Sequence, residues 1–152
     1  MHYSEWLGKM YTLSQYLEEC IAPVCKEYNL NSTETTVLLF LHNNPDKDTA
    51  KNIIEYSRMA KANISKAVEH LMRRDLVVRI RDTQDRRVFH LCLTETAERI
   101  MPDLHAAAET YLRGVFADFS PEELRTFHAF NNRIAENAER RLQKSDKQNS
   151  RH

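Results

Sequence analysis

Glycine is nearly absent from this chain: its 152 residues include only Gly8 and Gly114. Pro23, Pro45, Pro102 and Pro121 are the other strong breakers, and so few interruptions favour long helices. There is no glycine-rich phosphate loop, nucleophile elbow or H-E-x-x-H motif, so neither an enzyme nor a bound cofactor is expected. Cys20, Cys25 and Cys92 are odd in number and lack C-x-x-C spacing. That pattern excludes a disulfide framework or a zinc ribbon and leaves buried, inert thiols as the expectation. No run approaches the roughly 18 apolar residues that cross a bilayer. The start, Met1-His2-Tyr3-Ser4-Glu5-Trp6, has neither the basic end nor the apolar stretch of a signal peptide. A cytoplasmic protein without a membrane partner is expected.

Net charge is missing too. Lys and Arg total 22, as do Asp and Glu, a balance that by itself argues against a nucleic-acid partner. The distribution reverses that impression. From Lys51 to His90 ten basic residues face five acidic ones, so this segment carries +5 and the rest of the chain −5. A cationic middle between acidic ends suits a reading head on a scaffold.

Apolar spacing predicts a first helix over about Ser4 to Glu27, with Leu7, Met10, Tyr11, Leu13, Leu17, Cys20 and Ile21 as its stripe and a kink at Pro23. Ser32 or Thr33 is the expected cap of a second helix that ends at His42 and buries Val37, Leu38, Phe40 and Leu41. Asp48 or Thr49 then opens a short helix with Ile53 and Ile54, ending near Tyr56. A few residues later comes a helix over 60–74 that buries Ile64, Ala67, Val68 and Leu71. Two short helices so joined, the second with a polar outer face, form a helix-turn-helix.

Leu76–Arg81 and Val88–Leu93 each alternate like half-buried strands, and Asp82-Thr83-Gln84-Asp85-Arg86-Arg87 joins them as a hairpin tip. Thr94 caps a long helix over about Glu95 to Phe116, broken or bent near Pro102. Ser120-Pro121-Glu122-Glu123 starts the last helix as a capping box. That helix continues to about Leu142 with Leu124, Phe127, Phe130, Ile134 and Ala138 inward.

The expected fold is mainly α with a small β-hairpin wing: a winged helix-turn-helix lobe over 32–93 within one domain, flanked by dimerisation helices over 1–31 and 94–142, with a polar, frayed tail over 143–152. The outer helices hold more apolar surface than a small winged helix needs, which points to a homodimer.

An α-helix fits the major groove of double-stranded DNA. The outer face of the 60–74 helix offers Lys61, Ala62, Asn63, Ser65, Lys66 and His70. Asn63 suits adenine, Ala62 a thymine methyl, and Ser65 and Lys66 either base or phosphate; Arg58 and Arg73 suit phosphates. An arginine on a thin hairpin suits the narrow, electronegative minor groove. The alternative is a winged-helix protein-interaction module that does not bind DNA, but such a module would be expected to lose the basic charge that this segment keeps.

Asp82-x-x-Asp85-Arg86-Arg87, followed by Leu93-Thr94-Glu95, resembles the MarR family (multiple-antibiotic-resistance regulators). Ile64-Ser65-Lys66-Ala67-Val68-Glu69-His70-Leu71 fits that family's recognition helix, and Leu76-Val77-x-Arg79 its lead into the wing. The resemblance runs from about Tyr11 to Leu142 and departs where glycine is usual: Asp75 stands before Leu76, and Thr96-Ala97 follow the Leu-Thr-Glu. It implies a ligand-responsive repressor on a pseudo-palindromic operator, and it gives the minor-groove part to Arg86, with Asp82 or Asp85 bracing the guanidinium. Arg87 is left for a phosphate or a nearby acid. It further implies a small-molecule effector between the dimer helices and the DNA-binding lobe, where Trp6, Tyr11, Tyr16, His42, His105 and Tyr111 are the candidates. His105 and Glu109 share a helix face, and His42 and Cys25 can be imagined near them, but they do not fall on the family's zinc-ligand positions, so no metal is expected.

Overall fold

The protein is described by a computed structural model covering residues 2–149. Helices α1 (Tyr3–Glu27), α2 (Ser32–Asn43), α3 (Ala50–Ser57) and α4 (Lys61–Arg73) lead into strands β1 (Val77–Arg81) and β2 (Phe89–Leu93), followed by α5 (Glu95–Val115) and α6 (Pro121–Asn149). This is a winged helix-turn-helix. Two compact units result, one ending at Leu112 and one beginning at Arg113. No described helix is long and apolar enough to cross a membrane.

Helix starts follow local hydrogen bonding. The cap of α2 is Asn31, one residue before the expected Ser32 or Thr33. Its side chain accepts from the Glu34 N–H at 2.9 Å, and Glu34 Oε2 accepts from the Asn31 N–H at 2.9 Å. That reciprocal box satisfies two donors that would otherwise lack partners, whereas a Ser32 cap has no such partner three residues on. Thr49 caps α3 in the same way with Asn52. Ser120 and Glu123 form the expected box ahead of Pro121.

The expected break near Pro102 is absent: the helical run is continuous through Pro102 in α5, as it is through Pro23 in α1. The last helix does not stop near Leu142: its backbone stays helical to Asn149, because Gln143–Asn149 contains no glycine or proline to end it. Residues 150–152, the end of the expected tail, lie outside the described residues.

The core joins α2, α3, α4, the base of the hairpin and the first half of α5. Leu38, Ile53, Ile64, Leu71, Met101 and Leu104 are its largest fully buried apolar side chains. The strands pair antiparallel with Val77 opposite Leu93 and Arg81 opposite Phe89. Expected half-burial along β1 fails beyond its first residue. Val77 is buried, but Ile80 is 52% exposed, because the hairpin runs out from the body and its alternation marks the two faces of a projecting arm.

The outer helices also depart from expectation. In a single chain none of the residues of α1 is buried, and Tyr11 is 73% exposed. On α6, Leu124, Phe127, Phe130, Ile134 and Ala138 are exposed rather than inward, with Phe130 at 55% and Ile134 at 56%. The three thiols are free but half-buried rather than buried, and Cys25 Sγ lies 3.3 Å from Thr35 Oγ1.

Candidate nucleic-acid interface

The apolar residues of α4 face the core, which turns its other face outward. Lys61, Ala62, Asn63, Ser65, Lys66 and Arg73 are all exposed there. A groove of about 620 Å³ runs along that face against the start of α2, lined by Asn63, Lys66, His70 and Arg73 on one side and by Asn31 to Glu34 on the other.

His70 lies at the floor of the groove, half-buried, with Nδ1 hydrogen-bonded to Glu34 Oε1. Glu34 is only 1% exposed. His70 therefore has a structural partner that ties α4 to α2, a role that its place on the outer face did not reveal. An N-x-x-E signature at Asn31–Glu34 was the available signal for Glu34. Arg74 is a second such tie: its guanidinium donates to the carbonyls of Tyr28 and, at 2.7 Å, Asn29. Arg58 is exposed and occupies a left-handed conformation (φ 56°) that closes α3.

The link from α4 to the hairpin is set by Asp75, which has φ 54°. Its N–H donates to Met72 O at 3.1 Å, the next N–H, of Leu76, donates to Leu71 O at 2.9 Å, and Leu71 and Leu76 are both buried. This pairing is a Schellman motif built without glycine.

At the wing, Asp82 Oδ1 accepts from the N–H groups of Gln84 (2.7 Å) and Asp85 (2.6 Å), while Oδ2 lies 3.1 Å from His90 Nε2. The Asp85 N–H above all, then His90 and the Gln84 N–H, hold the Asp82 carboxyl below its ordinary pKa. Asp85 Oδ1 accepts from Arg87 N at 3.0 Å and from Arg87 Nε at 3.3 Å. Expected bracing of Arg86 by Asp82 or Asp85 is therefore corrected. Both carboxylates are taken up by loop amides, His90 and Arg87, and the Arg86 guanidinium has no ion pair or hydrogen bond among the described residues. Arg87 takes the nearby acid. Arg79 and Arg81, not among the DNA-binding candidates read from the sequence, lie over the Phe89 ring at 5.1 and 5.3 Å and extend the cationic surface down the stem.

Four of the six effector candidates form two ring pairs. Tyr16 and Tyr111 pair at 5.7 Å between ring centroids, and His42 and His105 at 4.8 Å, while Trp6 and Tyr11 are exposed and join neither pair. His42 Nδ1 lies 3.4 Å from Glu98 Oε2. Among the described residues no group of three or more His, Cys, Asp or Glu side chains is placed to hold a metal.

Residues 28–88 match the profile of the MarR family. A stretch of 60 residues is 33% identical to the uncharacterized HTH-type transcriptional regulator YsmB of Bacillus subtilis (strain 168), a match that spans 40% of this chain and 41% of YsmB. The fold resembles that of a MarR transcriptional regulator from Methanosarcina mazei Go1, with a TM-score of 0.74 and 24% identity over 90% of this chain and 98% of that one. It also resembles the S. aureus MepR–DNA complex, with a TM-score of 0.76 and 17% identity over 90% and 96% of the two chains.

Proposed function

We propose that the chain is a member of the MarR family and a sequence-specific, double-stranded DNA-binding transcriptional regulator; the match of its segment 28–88 to that family's profile and the likeness of its fold support the reading. The observation that carries this reading is the placement on one lobe of an exposed, basic α4 face and a projecting hairpin whose Arg86 has no protein partner among the described residues. In this reading α4 enters the major groove, with Asn63 and Ala62 at base edges, Lys61, Ser65 and Lys66 on bases or phosphates, and Arg73 on a phosphate. Arg86 enters the minor groove. Arg58 grips a phosphate, and Arg87, held by Asp85, stays beside the backbone.

The protein acts as a homodimer. Support comes from the apolar stripes of α1 and α6, whose large side chains are left exposed in a single chain. A second copy covers them, and the two recognition helices then meet major grooves about 34–36 Å apart on a pseudo-palindromic operator. The regulator is a repressor released by a small-molecule effector, and it works in the cytoplasm, where the DNA is. The Tyr16–Tyr111 and His42–His105 pairs are the residues of the expected effector region that do meet within one chain.

The test is fluorescence anisotropy with a duplex from the protein's own promoter region and a scrambled control. Binding should be selective and should weaken steeply with salt as phosphate counterions are released. Equal, salt-insensitive affinity for both duplexes, or none for either, would favour the protein-interaction module instead.

A further inference from the structure

His90 stands where the wing leaves the body, on β2 opposite Ile80, and is about one-third exposed. Its Nδ1 is 2.7 Å from Asp48 Oδ1, in the segment leading into α3, and its Nε2 is 3.1 Å from Asp82 Oδ2 at the base of the loop. Both partners are carboxylate oxygens. Both contacts are hydrogen bonds when each ring nitrogen carries a proton, so the geometry is that of an imidazolium. Alongside it, the Leu91 N–H donates to Asp48 O at 2.7 Å. The Asp82 carboxylate that His90 holds is the same one that gathers the Gln84 and Asp85 amides. A continuous chain of contacts thus runs from the start of the helix-turn-helix, through His90 and Asp82, to the tip that carries Arg86.

We propose that His90 is the positioning residue of the wing: by bridging Asp48 and Asp82 it fixes the Arg86 tip relative to α3 and α4, and loss of its proton frees the tip and weakens the wing's hold on DNA. This rests on the DNA-binding reading above. With a neutral ring, one nitrogen turns a lone pair toward a carboxylate, and one of the two contacts is lost.

The charged groups facing His90 are Asp48 from the α3 side and Asp82 from the loop, while Cys92 lies two residues along on the same strand face. Arg79 and Arg81 lie over Phe89, on the opposite face. Asp48 first, then Asp82, raise the His90 pKa above its ordinary 6.5. The bridge is therefore fully present below about 6.5 and is lost as pH rises through the higher folded value.

The test has two arms. In the first, NMR of the full-length protein follows the His90 ring and the Gln84 and Asp85 amides between about pH 6 and 9. All should titrate with one midpoint above 6.5, and His90→Gln should hold the amides at their high-pH positions throughout. Asp48→Asn, which removes one anchor and leaves the ring, should weaken the coupling and lower the midpoint. Amides that ignore the His90 titration would overturn the proposal.

In the second arm, anisotropy on the promoter duplex compares the wild type, His90→Gln and Arg86→Ala across the same range. Wild-type affinity should fall at least about fivefold through the His90 midpoint, the low end of one arginine–DNA contact. That step should be absent in His90→Gln and in Arg86→Ala. An undiminished step in either variant would overturn the proposal. Failure of the wild type to bind any duplex at low pH would overturn the DNA-binding reading, and the first arm would still decide whether His90 positions the tip.

Discussion

Replacing Asp75 by glycine should make the protein more stable, although it removes a charged side chain from the edge of the proposed DNA-binding surface. Asp75 has φ 54°, its carboxylate has no partner among the described residues, and it follows the C-terminus of α4. The left-handed region costs an ordinary L-residue about 1–2 kcal/mol, less for Asp, and glycine nothing. A carboxylate beside a helix C-terminus costs a further ~0.3–1 kcal/mol at an exposed site. Against these, glycine's freedom in the unfolded chain costs about 0.4–1 kcal/mol.

The hydrogen bonds that set the turn engage only backbone atoms of residues 71–76 and not the Asp75 side chain: Asp75 N to Met72 O, Leu76 N to Leu71 O, and the Thr94 hydroxyl to Asp75 O at 2.6 Å. Glycine keeps every one of them. The net expectation for Asp75→Gly is about 0.5–1 kcal/mol of added stability, or a few degrees in Tm for a chain of this size. Urea unfolding at fixed protein concentration, with an unchanged m-value, measures it. Asp75→Ala is the control, since it removes the same charge but keeps Cβ in the left-handed region. It should be less stable than the glycine variant by about 1 kcal/mol or more. Equal stability of the glycine and alanine variants would refute the backbone reasoning and leave only the charge.

Glu34→Ala removes both the reciprocal cap of α2 and the partner of His70; it should cost about 1–3 kcal/mol in the same assay, with Glu34→Gln milder. Phe130→Glu places a charge in the exposed apolar stripe of α6; sedimentation should show a dimer for the wild type and a monomer for the variant, while an unchanged dimer would exclude this stripe from the interface. The Tyr28 phenol donates to Asp103 Oδ2, which pushes its pKa up to about 12. Ultraviolet titration should therefore find one tyrosine ionising near 12 and returning toward 10 in Asp103→Asn. The contact's contribution to stability is present below about pH 10 and fades as pH rises through the folded value.

The helix-turn-helix was legible because its cues are local and periodic. Ile64, Ala67, Val68 and Leu71 recur at helical spacing and are all buried, and Ser120 with Glu123 announced α6 three residues apart. The left-handed Asp75 falls at the position where the resemblance noted a departure from the usual glycine. Contacts between distant segments were less legible. Nothing local says that Glu34 reaches His70, that Arg74 reaches the end of α1, or that His90 joins Asp48 to Asp82. The bracing of Arg86 was misassigned for a related reason: three carboxylate oxygens take five hydrogen bonds in and beside one short loop, and only geometry decides among loop amides, His90 and the two arginines. The apolar stripes of α1 and α6 were read correctly as stripes, but periodicity does not say whether a stripe faces its own chain or another.

The central claim, that the wing reads DNA through an arginine left without a protein partner, is tested most directly by titrating Arg86→Ala and Arg87→Ala against the wild type on one promoter duplex. Arg86 is exposed, so its removal should leave the melting temperature unchanged. It should weaken binding by about 1–3 kcal/mol per wing, at least fivefold, the scale of an arginine–DNA contact. Arg87→Ala should cost less, because Asp85 already engages that side chain. An Arg86→Ala protein that folds normally and binds the duplex as tightly as the wild type would contradict the claim.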